Sequence, residues 1–168
     1  MFRFPRLLKW PYGPFILSLI ACLALVAGGV VMSEFLHLAA CPLCIVQRML
    51  YLLLAALAIP GLLLARLPVA RRLIAVAMAG AGATGVFVAG YQTWLQRFAP
   101  MVSCSGYQSW WEEFVDWAGD KAPLLFLSDG ICSDPGWKFL SLSIAEWSLI
   151  MFSGLLVLAT YTALRGSR

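Results

Sequence analysis

Four long apolar stretches, separated by short charged segments, leave this chain few ways to fold. They cover about residues 15–32, 44–64, 73–94 and 147–164. A bilayer core of about 30 Å is crossed by roughly 20 helical residues, so each stretch is long enough to span it. Backbone groups in lipid must be satisfied within their own segment, so the spans are expected to be helical. Composition agrees. The chain is 62% hydrophobic and 12% charged, whereas water-soluble domains hold about 45–50% apolar and about 25% charged residues. That excludes a soluble domain and a disordered tail. The expected fold is an all-α membrane protein: a four-transmembrane-helix bundle, residues 1–168 forming one integral membrane domain. The first stretch, preceded by Arg3, Arg6 and Lys9, also has the layout of a signal peptide. Its length and the three spans that follow favour a membrane helix.

Charge sets the expected orientation. Arg3, Arg6, Lys9, Arg66, Arg71, Arg72, Arg165 and Arg168 share one side, and no acid lies there. All 8 acids fall on the other side, among them Glu34, Glu112, Asp129 and Glu146. The positive-inside rule then puts both termini in the cytoplasm and the loops 34–43 and 95–146 outside. The net charge of +4 is scattered among the apolar stretches, not gathered on one patch, so no nucleic-acid partner is expected. Gly80, Gly82, Gly85 and Gly90 in the third span suit close helix packing.

There are 5 cysteines. Cys22 lies mid-span, where a free cysteine behaves as a small hydrophobe. Cys41, Cys44, Cys104 and Cys132 all fall on the outer side. In a bacterium that side is oxidising, and disulfides persist there. Cys41-Pro42-Leu43-Cys44 is a C-x-x-C opening the second span, a spacing that redox pairs and zinc sites both use. Cys44 at a helix N-terminus is favoured as a thiolate. Arg48 follows one turn later and leans back toward it; the plainer reading is a side chain snorkelling to the headgroups. A charge within a span is costly, which favours a functional role. Cys104 and Cys132 either close the long loop with a structural disulfide or form a second redox pair. Four cysteines allow three connectivities, and the residues alone leave them open.

Between that pair, Trp110, Trp111, Phe114, Val115 and Trp117 interleave with Glu112, Glu113 and Asp116. This predicts a short amphipathic helix in the membrane interface, its aromatic side toward lipid. The chain has one histidine, His37, so sites needing two histidine ligands are excluded. A zinc site built from all four outer cysteines is disfavoured because Cys104 and Cys132 lie far apart in sequence, and no metal is expected.

With these residues in view, the chain resembles the disulfide-bond formation protein B family over nearly its whole length. The matching stretches are Cys41-Pro42-Leu43-Cys44-Ile45-Val46-Gln47-Arg48, Trp94-Leu95-Gln96, Gly130-Ile131-Cys132, Trp137-Lys138-Phe139-Leu140 and Glu146-Trp147-Ser148-Leu149. Two departures stand out. Gln92-Thr93 occupies a place where many relatives carry a histidine, and Ser141 one where glycine is common.

The resemblance implies a thiol oxidase of the bacterial inner membrane. Its implied partner is a periplasmic thioredoxin-fold dithiol oxidase (DsbA-like), and its implied electron acceptor is a membrane quinone, ubiquinone or menaquinone. By the same resemblance, the partner attacks Cys104 of a Cys104–Cys132 disulfide. Cys132 then attacks Cys41 of a Cys41–Cys44 disulfide, and Cys44 meets the quinone with Arg48 polarising a quinone oxygen. Two other readings of the residues stand beside it. One is a non-catalytic membrane scaffold with structural disulfides, and the other is a paralogous oxidase serving one dedicated partner. A vitamin K epoxide reductase-like enzyme would carry its C-x-x-C late in the bundle.

Overall fold

The computed structural model describes residues 11–98, 110–133 and 137–165. Four long helices make up most of it: α1 Gly13–Leu36, α2 Pro42–Leu63, α3 Pro68–Phe98 and α6 Ile144–Arg165. Each is long and apolar enough to cross a membrane. Between α3 and α6 lie α4 Trp110–Lys121, the short α5 Pro123–Phe126, and a two-stranded hairpin of β1 Lys138–Phe139 and β2 Leu142–Ser143. The chain is therefore the all-α four-span bundle expected, with α4 as its loop helix.

The bundle core is narrow. Phe15, Cys22, Tyr51, Leu54, Ala58, Phe152 and Leu155 are buried at its centre. The Tyr51 and Phe152 rings stack with centroids 4.1 Å apart. Large apolar side chains such as Ile20, Leu23, Phe87 and Val157 point outward, forming the surface that a helix bundle presents to lipid. Of the small residues in α3, Gly82 and Gly85 face α6. A Cβ on Gly85 would lie 2.2 Å from the Phe152 ring, so only glycine lets these helices touch there. Gly80 faces open space.

Two devices fix the entry to α6. Ser143 and Glu146 form a capping box: Ser143 N–H donates to Glu146 Oε2 at 2.7 Å, and Glu146 N–H to Ser143 Oγ at 3.3 Å. Arg97, in the last turn of α3, donates its Nε–H to Glu146 Oε1 at 2.9 Å and joins the two helix ends. The hairpin before the box was not expected. Its turn residues, Leu140 and Ser141, have φ of 51° and 67°. A two-residue turn with both φ positive matches the strand twist. It also gives the physical reason that glycine suits position 141.

On α4, Trp110, Phe114 and Trp117 point outward together, Trp110 with 80% exposure. Val115, grouped with these aromatics in the sequence, is buried with Ala118 on the inward face. The aromatic stripe is thus narrower than the sequence suggested.

Candidate functional site

The site is built on the first turn of α2. Cys41 is the N-cap, in extended conformation, and Pro42 opens the helix with a φ already suited to it. Counting on, Cys44 is the third helical residue, and its N–H donates to Cys41 Sγ at 3.4 Å. The C-P-x-C motif is therefore a helix cap in which sulfur replaces the usual oxygen acceptor. The capping geometry also brings the two sulfurs within 3.1 Å of each other. Both sit at the positive end of the helix dipole.

A third sulfur joins them from the long loop. Cys132 hydrogen-bonds to the Cys41 side chain and accepts from the Leu43 N–H. The loop is held there by backbone contacts: the N–H groups of Asp129 and Gly130 both donate to Ala40 O at 3.0 Å. A Cβ on Gly130 would lie 2.5 Å from Ala39 O, so this approach requires glycine. The proton and the charge divide unequally between the two thiols. Hydrogen bonds to Cys132 and then to Cys44, with burial, raise Cys41 above the ordinary thiol value. The Cys41 hydrogen bond, against the opposing effect of burial and helped by the Leu43 N–H, holds Cys132 below it. Cys132 is therefore the better nucleophile of the pair.

Residues 13–162 match the family model for disulfide bond formation protein DsbB. The chain belongs to the DsbB family. It is 39% identical over 151 residues to disulfide bond formation protein B of Dechloromonas aromatica (strain RCB), covering 89% of this chain and 90% of that one. It is 33% identical over 150 residues to the protein of the same name from Nitrosospira multiformis, covering 85% of each chain. With the protein of Acidovorax sp. (strain JS42) it shares 35% identity over 161 residues, covering 91% of this chain and 88% of that one. Membership of the DsbB family makes this a membrane protein of disulfide bond formation.

Of the sequence-selected residues, Cys41, Cys44 and Cys132 converge in one cluster. Cys104 lies outside the described residues. Arg48 is buried, but not merely by snorkelling. Its guanidinium donates to Leu125 O at 2.6 Å and to Ser33 Oγ at 3.3 Å, tying α2 to α5 and α1. It lies against Gly29, where a Cβ would come within 3.3 Å of Nη2. Arg48 also lines a small cavity of about 170 Å³ with His37 and Asp129. A larger, apolar cavity of about 380 Å³ opens between α1, α2 and α6, edged by Gly28, Tyr51, Phe139 and Trp147. Gly29 belongs to its wall too.

Sequence reasoning missed two residues of the site. Gln92, on α3, donates to Cys41 Sγ at 3.2 Å and to Cys44 Sγ at 3.1 Å. Gln47, on α2, donates to Gln92 Oε1 at 2.6 Å. A signal existed: both are polar residues inside apolar spans, where such groups mark function by default. Gln92 had drawn notice only as a departure from the family pattern.

Proposed function

We propose that this DsbB-family chain is an inner-membrane thiol:quinone oxidoreductase. It re-oxidises a periplasmic thioredoxin-fold dithiol oxidase by relay from Cys104–Cys132 to Cys41–Cys44. The observation that carries this reading is the seat of Cys132 on Cys41, at the helix start that also holds Cys44. The partner's thiolate attacks Cys104, forms a mixed disulfide and releases Cys132 as a thiolate. The partner's second thiol resolves that mixed disulfide and leaves Cys104 reduced. Cys132 attacks Cys41; the Cys132–Cys41 bond forms, the Cys41–Cys44 bond breaks, and Cys44 leaves with the electron pair. Attack by Cys104 on Cys132 then restores the loop disulfide and leaves Cys41 and Cys44 reduced. Low thiol pKa speeds departure, and the helix terminus favours charge on the leaving sulfur.

The residues present fit a quinone as electron acceptor. Pockets for small ligands are mostly apolar, roughly 300–1,000 Å³, with few polar groups. The 380 Å³ cavity is of that kind, and the Arg48 guanidinium lies close to Gly29 in its wall, where a Cβ would come within 3.3 Å of Nη2. This lining would hold the ring; Arg48, which lines the smaller cavity, lies behind Gly29. A bound quinone supplies a two-electron, two-proton sink, and ubiquinone and menaquinone both do so. Arg48 contributes a fixed positive charge one turn from Cys44, buttressed by Leu125 and Ser33. In this reading both termini are cytoplasmic, the sulfur cluster is periplasmic, and α4 rests its aromatic stripe on the membrane surface.

The test uses purified protein in detergent without oxygen. A reduced thioredoxin-fold dithiol protein and a soluble quinone are added, and quinone reduction is followed. Reduction that is lost in Cys44→Ser is the expected result. Folded protein that reduces no quinone with any dithiol donor would make the cysteines structural and the chain a scaffold.

A further inference from the structure

Two carboxamides buried beside three sulfurs need an explanation. Gln92 and Gln47 are only 2% and 3% exposed. Burying an amide is costly unless its hydrogen bonds are made, and an apolar pair would pack α2 against α3 without that requirement. The arrangement has a direction. Gln47 Nε2 occupies the Gln92 oxygen at 2.6 Å. That leaves the Gln92 NH₂ group as the end facing the cysteines, with 3.2 Å to Cys41 Sγ and 3.1 Å to Cys44 Sγ. An amide NH₂ has two hydrogens to give, and a thiolate can only accept.

The two redox states make unequal use of these donors. A sulfur in a disulfide is neutral and a weak acceptor. A thiolate is charged, and hydrogen bonds to ionised acceptors are about twice as strong as neutral ones. The same amide therefore contributes little while Cys41 and Cys44 are bridged and more once the bridge opens. We propose that Gln92, oriented by Gln47, is the donor that receives the Cys44 sulfur as it leaves Cys41 and biases the Cys41–Cys44 pair toward its reduced form. Gln92 touches the reacting sulfurs and acts on them directly; Gln47 acts through Gln92 and is a positioning residue. The role rests on the thiol-exchange reading above and adds to it the group that makes this pair a willing electron acceptor.

The test equilibrates the full chain with glutathione in a Cys104→Ser/Cys132→Ser background, so that one pair titrates. The Cys41–Cys44 bond breaks, and a bond between two glutathiones forms. Two electrons enter the protein pair, and the two glutathione protons pass to its sulfurs or to solvent. Gln92→Met keeps the volume and removes the donors. Its equilibrium constant for reduction should fall about tenfold, a potential lower by about 30 mV for a two-electron couple. Gln47→Met should shift it the same way and by less, because the Gln92 amide is then free to turn. Alkylation of Cys44 at fixed pH should slow in the same order. A purely structural pair would lower thermal stability and leave the equilibrium constant unmoved.

Folded Gln92→Met with a wild-type equilibrium constant overturns the proposal. If that variant does not fold, Gln47→Met decides, and a wild-type constant there overturns it equally. Should the wild-type pair take no electrons from glutathione at all, the thiol-exchange reading fails and this role falls with it. Exchange in the wild type with no shift in the variants would sink the glutamine role alone.

Discussion

Gly130→Ala should slow the relay without touching a cysteine. Gly130 lies two residues before Cys132, and its backbone rests on Ala39 and Ala40, directly before Cys41. A Cβ there would meet Ala39 O at 2.5 Å, Ala39 C at 2.9 Å and Ala40 C at 3.0 Å, where ordinary contact starts at 3.4 Å. All three are backbone atoms, so no side chain can swing aside. The two loop segments must part by about 0.9 Å to restore contact at the carbonyl oxygen. That also stretches the hydrogen bonds from Asp129 and Gly130 to Ala40 O, each worth about 0.5–1.5 kcal/mol. Misplacing reacting groups by about 1 Å can cost on the order of 10²-fold in rate. Transfer from Cys132 to Cys41 should therefore fall about 10- to 100-fold. The assay starts from protein with Cys41–Cys44 oxidised and the loop pair reduced, quenches with acid, and separates the Cys41–Cys132 species on a gel. Reduction of Cys41–Cys44 by dithiothreitol, which bypasses the loop, should be unchanged. Folded Gly130→Ala that transfers at the wild-type rate would refute the claim that this backbone contact seats Cys132.

Three further substitutions probe the rest of the site. Arg48→Met removes the charged donors to Leu125 O and Ser33 Oγ, bonds of a type worth about 1.5–3 kcal/mol each. Thermal stability should drop and the KM for a soluble quinone should rise; unaltered quinone kinetics would take the guanidinium out of the acceptor site. Gly28→Leu extends a side chain from a position where a Cβ meets nothing within 4 Å. It should fill the apolar cavity and raise the quinone KM about tenfold, with k cat less affected, while thiol exchange between the pairs continues. An unchanged KM would move the quinone elsewhere. Cys132 is held below the ordinary thiol value chiefly by the Cys41 hydrogen bond. In reduced protein its alkylation rate should therefore reach half-maximum below about pH 8.5, the free-thiol value, and the midpoint should move up in Cys41→Ala. A wild-type midpoint at or above that value contradicts the shared-proton arrangement.

What could be read in the sequence is what depends on near neighbours along the chain. Span length and apolarity are local sums, and four spans were evident before any packing was known. The Cys41-Pro42-Leu43-Cys44 run is a helix cap whose bonds close within three residues, so its place at a helix start was also legible. The loop helix α4 announced itself through interleaved aromatics and acids, although its burial of Val115 did not. Only the tertiary structure decided which partners those local features meet. Gln92 reaches Cys41 across 51 residues, and Arg48 reaches the Leu125 carbonyl across 77. In an apolar span, packing against lipid and packing against protein use the same side chains, so hydropathy does not tell which face of a helix turns inward. Gln47 and Gln92 were visible as polar residues in apolar spans, but their meeting depends on how α3 is rotated against α2. Helix rotation is set by close contacts such as Gly85 on Phe152, which exist only once the bundle is assembled.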